Sequence, residues 1–224
     1  MPTSNDTSGH EALPEARPIY AADLEHFCAI DVELIRDTLS TASSAGQVSV
    51  ALIPDIATIR WHHAREQFVS QELRGQVPEV KGAIVGTEPG KRVWCYWTRM
   101  FYNKDPQSSE ENTLHILRLV VEARETFTSG EASADQDESQ YVPAITALFK
   151  MALREAAEWN MADVQAWNPT DATIRAVQNI QPSAKVIQRD TESIASLMWY
   201  GERTKEGTVT EYVDWLGNEK YGWC

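Results

Sequence analysis

The clearest pattern of apolar and polar positions lies in the middle of the chain. An apolar run from Leu114 to Val121 is followed by a polar, acidic segment from Glu122 to Gln140. Apolar side chains then recur at helical spacing from Tyr141 to Trp159, and a second short apolar run extends from Met161 to Trp167. A strand, a loop, a helix and a strand at this spacing predict a βαβ unit whose two strands are parallel.

The same reasoning predicts elements on both sides of this unit. Three strands joined by short links favour an antiparallel meander, since Glu88-Pro89-Gly90-Lys91 is typical of a hairpin turn. The second of these strands is so aromatic that it indicates a central core strand or, alternatively, the wall of a ligand cavity. The predicted elements are a helix over Ala21 to Leu39, a strand over Val48 to Ile53, a helix capped by Asp55, strands over Lys81 to Thr87 and Arg92 to Asn103, a helix over Asp171 to Ile180, and a closing strand pair over Lys185 to Arg189 and Ser196 to Tyr200.

This order of elements predicts an α+β fold (an α/β three-layer arrangement) with a mixed, mostly antiparallel sheet and flanking helices. Residues 1–18 are polar and proline-containing, so we expect a disordered N-terminal segment. Residues 19–224 are expected to form a single domain with an acidic, flexible loop at 123–140.

The charge and composition restrict the class of partner. The 224 residues carry a formal net charge of −13, which argues against nucleic acid and against an anionic membrane surface. The three cysteines, Cys28, Cys95 and Cys224, have no metal-ligand spacing, and we expect no metal site. The N-terminus lacks an apolar signal region, and no apolar run reaches the ~18 residues of a membrane span. These features predict a cytoplasmic protein.

Candidate polar chemistry is sparse. His62 and His63 are adjacent on a predicted helix, so they point in different directions and cannot chelate one ion from one face. His62 and Glu66 are spaced i and i+4, so Glu66 could orient the imidazole; the simpler interpretation is a partly buried helix with surface histidines. The end of the chain is rich in Trp and Tyr, and we expect it to pack against the body or a partner.

Several segments resemble known sequences. The order of elements is similar to that of the GNAT (Gcn5-related N-acetyltransferase) fold. Six segments between about residues 20 and 224 resemble the C-terminal part of the fungal lysine acetyltransferase-like family LYC1: Trp61–Glu66 (WHHARE), Val93–Arg99 (VWCYWTR), Ile116–Val120 (ILRLV), Arg154–Trp159 (REAAEW), Ser193–Gly201 (SIASLMWYG) and Asn218–Cys224 (NEKYGWC). Longer members of that family carry a preceding region with the acetyl-CoA signature, which has no counterpart here.

The resemblance implies acetyl-CoA-dependent N-acetylation of lysine or a related small cationic amine, for which an acidic surface is suited. It implies acetyl-CoA contacts at the end of the central strand, at Leu119, Val120 and Val121. In some tandem GNAT-fold enzymes the terminal carboxylate enters a neighbouring active site. The resemblance therefore suggests catalytic roles for Cys224, through its carboxylate, and Tyr221, in addition to the candidates His62 and Glu66 named above.

The loop after the central strand departs from the GNAT pattern. A Gln/Arg-x-x-Gly-x-Gly/Ala run normally lets backbone N–H groups bind the cofactor pyrophosphate. Here Glu122 to Gln140 contains one glycine, Gly130, and six carboxylates against one arginine, which should repel a pyrophosphate. The alternative is therefore a non-catalytic GNAT-like domain for substrate binding or assembly, acting as a homodimer or with a partner domain.

Overall fold

The computed structural model describes residues 12–41, 48–123, 138–188, 194–198 and 213–223. No helix within these residues is long and apolar enough to cross a membrane. They form seven strands, β1 Ala16–Tyr20, β2 Val48–Ala51, β3 Val80–Val85, β4 Val93–Met100, β5 Thr113–Val121, β6 Asp163–Ala166 and β7 Val213–Leu216, and four α-helices, α1 Leu24–Thr41, α2 Ile56–Arg74, α3 Val142–Glu158 and α4 Asp171–Ile180.

Five strands form the central sheet in the order β1-β3-β4-β5-β6. The β1–β3, β3–β4 and β4–β5 pairs are antiparallel, and β5 pairs with β6 in parallel. The parallel pair confirms the βαβ unit, with α3 as the crossover helix. A mixed, mostly antiparallel sheet with flanking helices also confirms the predicted GNAT-like fold class.

Strand β4 is the centre of the core, because all eight of its residues are buried. Its side chains alternate between two hydrophobic clusters, as the pleat of a strand requires. On one face, helices α3 and α4 cover the cluster that includes Cys95, Trp97, Leu148 and Phe149. On the other, Trp94 and Tyr96 pack with residues of α1 and α2. The core interpretation of the aromatic strand is confirmed.

Local sequence signals fix the ends of the second helix. The Asp55 carboxylate accepts a hydrogen bond of 2.7 Å from the Thr58 N–H at the start of α2. Gly75, with a φ of 65°, ends the helix in the left-handed conformation that glycine adopts without strain. The two caps therefore set where α2 begins and ends, and its buried residues face the central sheet.

Two predictions on the periphery are wrong. Residues 16–18 belong to β1 rather than to a disordered segment, because Ile19 is buried and β1 pairs with β3. Pro18 is tolerated because β1 is an edge strand. The closing strand pair is also wrong for its described part: residues 185–188 and 196–198 contain no strand. Ile187 and Met198 are about three-quarters exposed (76% and 74%), so no packed face holds a strand there.

The last strand lies in a part of the chain for which no strand was predicted. β7 pairs in parallel with β2 and makes a separate two-stranded sheet. Its end carries the chain back toward the central sheet through Gly217, whose φ is 61°. Residues 1–11 and 124–137, which include most of the two segments predicted to be disordered or flexible, lie outside the described residues.

Candidate functional site

The candidate site lies beside the part of β5 that extends past the end of β6, and we call this place the β5–β6 cleft. The two strands pair only from Thr113 to Ile116 on β5, although β5 continues to Val121. An irregularity in the β4–β5 register falls at Leu117, where β6 pairing stops. Beyond this point the β5 edge that faces away from β4 must satisfy its backbone groups elsewhere. The residues Gly217–Trp223, which we call the C-terminal segment, lie against it.

Glu219 of the C-terminal segment binds the free edge of β5 directly. Its Oε2 accepts a hydrogen bond of 2.9 Å from the Leu119 N–H, and its Oε1 accepts one from the Arg118 guanidinium. Burial raises the pKa of the Glu219 carboxyl, and the charge of Arg118 opposes this shift. The Glu219 carboxylate therefore binds both the Leu119 N–H and the Arg118 guanidinium at this edge.

Arg118 also binds a second carboxylate. Its Nη2 and Nε donate to the two oxygens of Asp31 on α1, at 2.9 and 3.1 Å, and Asp31 is fully buried. We call the group formed by Asp31, Arg118 and Glu219 the Arg118 cluster. It contains two carboxylates and one guanidinium. Burial by itself would lower the pKa of Arg118, but the neighbouring carboxylates of Asp31 and Glu219 raise it well above its usual value, so this group is always a cation.

Tyr221 anchors the C-terminal segment in the core. It is 1% exposed, its hydroxyl donates to the Leu52 carbonyl at 2.6 Å, and its own carbonyl accepts from His62 Nε2 at 2.8 Å. Burial raises the pKa of Tyr221, so its hydroxyl stays protonated. Lys220 Nζ lies 4.6 Å from the centre of the Trp167 ring, directly after β6. The segment therefore spans the cleft from β5 to the end of β6.

The histidines of α2 are not on the surface, contrary to the simpler prediction. His62 is 4% exposed and His63 is 6% exposed, since both rings turn toward the sheet. Burial lowers the pKa of His62, and it lowers that of His63 to about 4. His63 Nε2 donates to the Trp97 carbonyl at 3.0 Å. Both imidazoles are therefore neutral and hold the helix and the C-terminal segment in place.

Glu66 does not orient His62, because other groups bind its carboxylate. One oxygen accepts from Lys81 Nζ at 2.6 Å, and the other accepts from the backbone N–H and Nη1 of Arg99, each at 2.8 Å. Arg99 also binds Glu155 on α3. We call this group of ion pairs the Arg99 cluster. It joins α2, β3, β4 and α3 through Glu66, Lys81, Arg99 and Glu155. The geometry gives Glu66 a structural position.

A groove of about 1080 Å³ lies beside the N-terminus of α3, where the fold would place a pyrophosphate. The cations along it are matched by carboxylates of this chain. Arg92 Nε donates to Glu122 at 2.6 Å, and Lys91 binds Glu88 at 3.1 Å. Arg92 and Glu122 are themselves nearly buried, so their pairing is a fixed feature of the groove wall. An added pyrophosphate would have to compete with these carboxylates.

The three residues predicted to contact acetyl-CoA all have other contacts in this structure, and their role as cofactor contacts stays a prediction. The Leu119 N–H is bound to Glu219, Val120 is buried in the core, and Val121 packs against the core in part. Cys224 lies outside the described residues, so its catalytic role stays a prediction, as does that of Tyr221. The part of the chain that the structure describes brings no three His, Cys, Asp or Glu side chains together as a metal site.

Sequence reasoning missed the Arg118 cluster. The available signal was Arg118 itself, a charged residue inside an apolar strand, which requires a buried partner. Its partners Asp31 and Glu219 lie 87 and 101 residues away along the chain. No spacing rule connects residues at such distances, so the partners could not be named.

Comparison with known proteins gives one match. A family model described as the LYC1 GNAT-like C-terminal domain matches residues 1–224. A comparison with curated proteins and one with solved structures found no match.

Proposed function

The chain belongs to the family of LYC1 GNAT-like C-terminal domains, and from this premise we propose that it serves as a non-catalytic GNAT-like domain of an N-acetyltransferase. The single observation that carries the proposal is the Glu219 carboxylate bound to the Leu119 N–H and to Arg118. While Glu219 is bound, the Leu119 N–H and the Arg118 guanidinium are occupied and cannot bind an acyl group.

The electrostatics of the groove support the same proposal. A pyrophosphate carries negative charge and needs unmatched cations or exposed N–H groups. The Arg92 guanidinium is already bound by Glu122, and the chain as a whole has a net charge of −13. Cofactor binding would therefore have to displace a buried ion pair against a repulsive field.

We assign the acetyl-CoA-dependent step to a partner domain or partner chain. The substrate of that partner would be lysine or a related cationic amine. Our chain would contribute an acidic surface that attracts such an amine. It would also contribute its last residues, because Tyr221 is buried and Trp223 packs against Trp215 with ring centres 5.6 Å apart. Cys224, whose carboxylate we propose acts in a neighbouring site, directly follows this anchored segment in the sequence.

Calorimetry with acetyl-CoA tests the proposal. We expect no saturable binding by this chain up to millimolar cofactor, and no release of CoA thiol when lysine is added. A Glu122→Gln variant is the matched comparison, because it frees Arg92 without changing the size of the side chain. Saturable binding by the unmodified chain would overturn the proposal, and lysine-dependent thiol release would assign catalysis to this chain alone.

A further inference from the structure

The contacts of Glu219 have the chemistry of a bound ligand rather than of a surface ion pair. A planar carboxylate is held on one side by a guanidinium and on the other by a backbone N–H, a combination that selects carboxylates. Both donors belong to neighbouring residues of a rigid central strand. The pairing of β5 with β4 fixes the Leu119 N–H, and Asp31 fixes the Arg118 guanidinium.

Arg118 does not depend on Glu219 for charge compensation. Asp31 accepts from both Nε and Nη2 of the guanidinium, so a complete ion pair remains when Glu219 leaves. Glu219 is the surplus carboxylate of the cluster, and it belongs to a short turn, whereas Asp31 belongs to the long helix α1. The cluster can therefore exchange this carboxylate for another without exposing an unpaired buried cation.

We propose that Arg118 and the Leu119 N–H form a carboxylate-binding site in the β5–β6 cleft, that Glu219 is its built-in ligand, and that a small free monocarboxylate takes its place when the C-terminal segment withdraws. The C-terminal segment thus blocks this site as long as Glu219 is bound. A dianion such as phosphate is disfavoured, because the fully buried Asp31 adds a negative charge to the same site. This inference does not depend on the proposed function, since it concerns the cleft of this chain alone.

Amide hydrogen exchange at Leu119 measures occupation of the site. The variant is Glu219→Ala in the full chain, with acetate as the probe and chloride at equal ionic strength as the reference. We expect the Leu119 amide to lose protection in the variant and acetate to restore it, with saturation in the millimolar range. Inorganic phosphate should restore none. The Val120 amide is the internal reference, because successive N–H groups of a strand point to opposite edges and this one faces β4.

Asp214→Ala is the matched control, since it removes an exposed carboxylate from β7 in the same part of the chain. Leu119 protection should be unchanged in it and insensitive to acetate. Equal acetate effects on both variants, or no effect of acetate on Glu219→Ala, would overturn the site. A restoration by phosphate as strong as that by acetate would reject the carboxylate assignment.

A measurement on the unmodified chain covers the case in which Glu219→Ala does not fold. Withdrawal of the C-terminal segment is an opening smaller than global unfolding, so Leu119 should exchange faster than Val120. If both amides exchange at one common rate, the segment leaves only when the domain unfolds, and the proposed displacement of Glu219 by a free carboxylate is wrong. Acetyl-CoA calorimetry is independent of these readouts, so failure of the proposed function and failure of this inference are distinguishable.

Discussion

The Arg99 cluster and the Arg118 cluster are built alike, and they differ in what they hold together. In each, an arginine on a central strand binds two carboxylates that come from other elements. The Arg99 cluster has two cations for two carboxylates, because Lys81 takes part. The Arg118 cluster has one cation for two carboxylates. Since buried charges are tolerated only when they are compensated, the first cluster is a fixed part of the core, whereas the second has one carboxylate in surplus.

The backbone contacts of the two clusters show the same contrast. Glu66 binds the Arg99 N–H from within a long helix whose ends are both capped. Glu219 binds the Leu119 N–H from a short turn beside the end of the chain. The same chemistry thus fixes a helix in one half of the molecule and fills a cleft in the other. We therefore take the sheet and its helices as the constant part of the domain, and we expect the Glu219 carboxylate to be exchangeable.

Removal of the Glu66 carboxylate should have the largest effect. In Glu66→Ala, Lys81 and Arg99 both lose a buried partner, and the expected loss of unfolding free energy is about 3–5 kcal/mol. Urea denaturation followed by tryptophan fluorescence measures it. Glu88→Ala is the control, because Glu88 pairs with Lys91 at the surface, and it should change stability by less than about 0.5 kcal/mol. A small loss for Glu66→Ala would remove the Arg99 cluster from the fixed core.

Acid should lower the free energy of unfolding through His63, which lies beside the Arg99 cluster. His63 lies on α2 close to Glu66, and burial lowers its folded-state pKa from 6.5 to about 4. Between these values the unfolded chain binds a proton that the folded chain does not. The stability from neutral His63 is therefore complete above about pH 6.5 and is lost as the pH falls toward 4, by up to about 3 kcal/mol. His62, whose pKa burial also lowers, adds to the loss.

The pH dependence of urea denaturation tests the role of His63. A His63→Gln variant keeps a donor near the Trp97 carbonyl but has no group that titrates in this range. Its free energy of unfolding should fall less steeply between pH 6.5 and 4. The slope of that free energy against pH should correspond to up to one fewer proton taken up on unfolding. If the variant and the unmodified chain have the same slope, His63 does not carry the acid sensitivity.

Much of the constant part of the domain could be predicted from the sequence, because its signals are local. The Asp55 cap, the hairpin before β4 and the helical spacing of α3 each lie within a few consecutive residues, and each appears in the structure. The parallel β5–β6 pair followed from the order of elements. Strand β1 was missed because it is only five residues long and includes a proline, and its partner strand determines its conformation.

The cleft contents could not be predicted for a physical reason. The contact between Glu219 and Leu119 joins residues 100 positions apart, and neither residue type suggests the other. The spacing of His62 and Glu66 suggested a pair, but a buried carboxylate is bound by the cations that the fold brings to it, which here are Lys81 and Arg99. Long-range compensation of charge, rather than local pattern, determines these partners.

Glu219→Ala should destabilise the protein much less than Glu66→Ala, because its costs are partly offset. The variant leaves the Leu119 N–H without its acceptor, which costs about 1–3 kcal/mol. Arg118 keeps Asp31, so no buried cation is left unpaired. Burial raises the pKa of Glu219, so removing this carboxylate also removes a desolvation cost. We expect a net loss of about 1 kcal/mol by urea denaturation, with Asp214→Ala near zero. A loss as large as that of Glu66→Ala would make the two clusters equivalent, and the cleft would then be a closed part of the core rather than an exchangeable site.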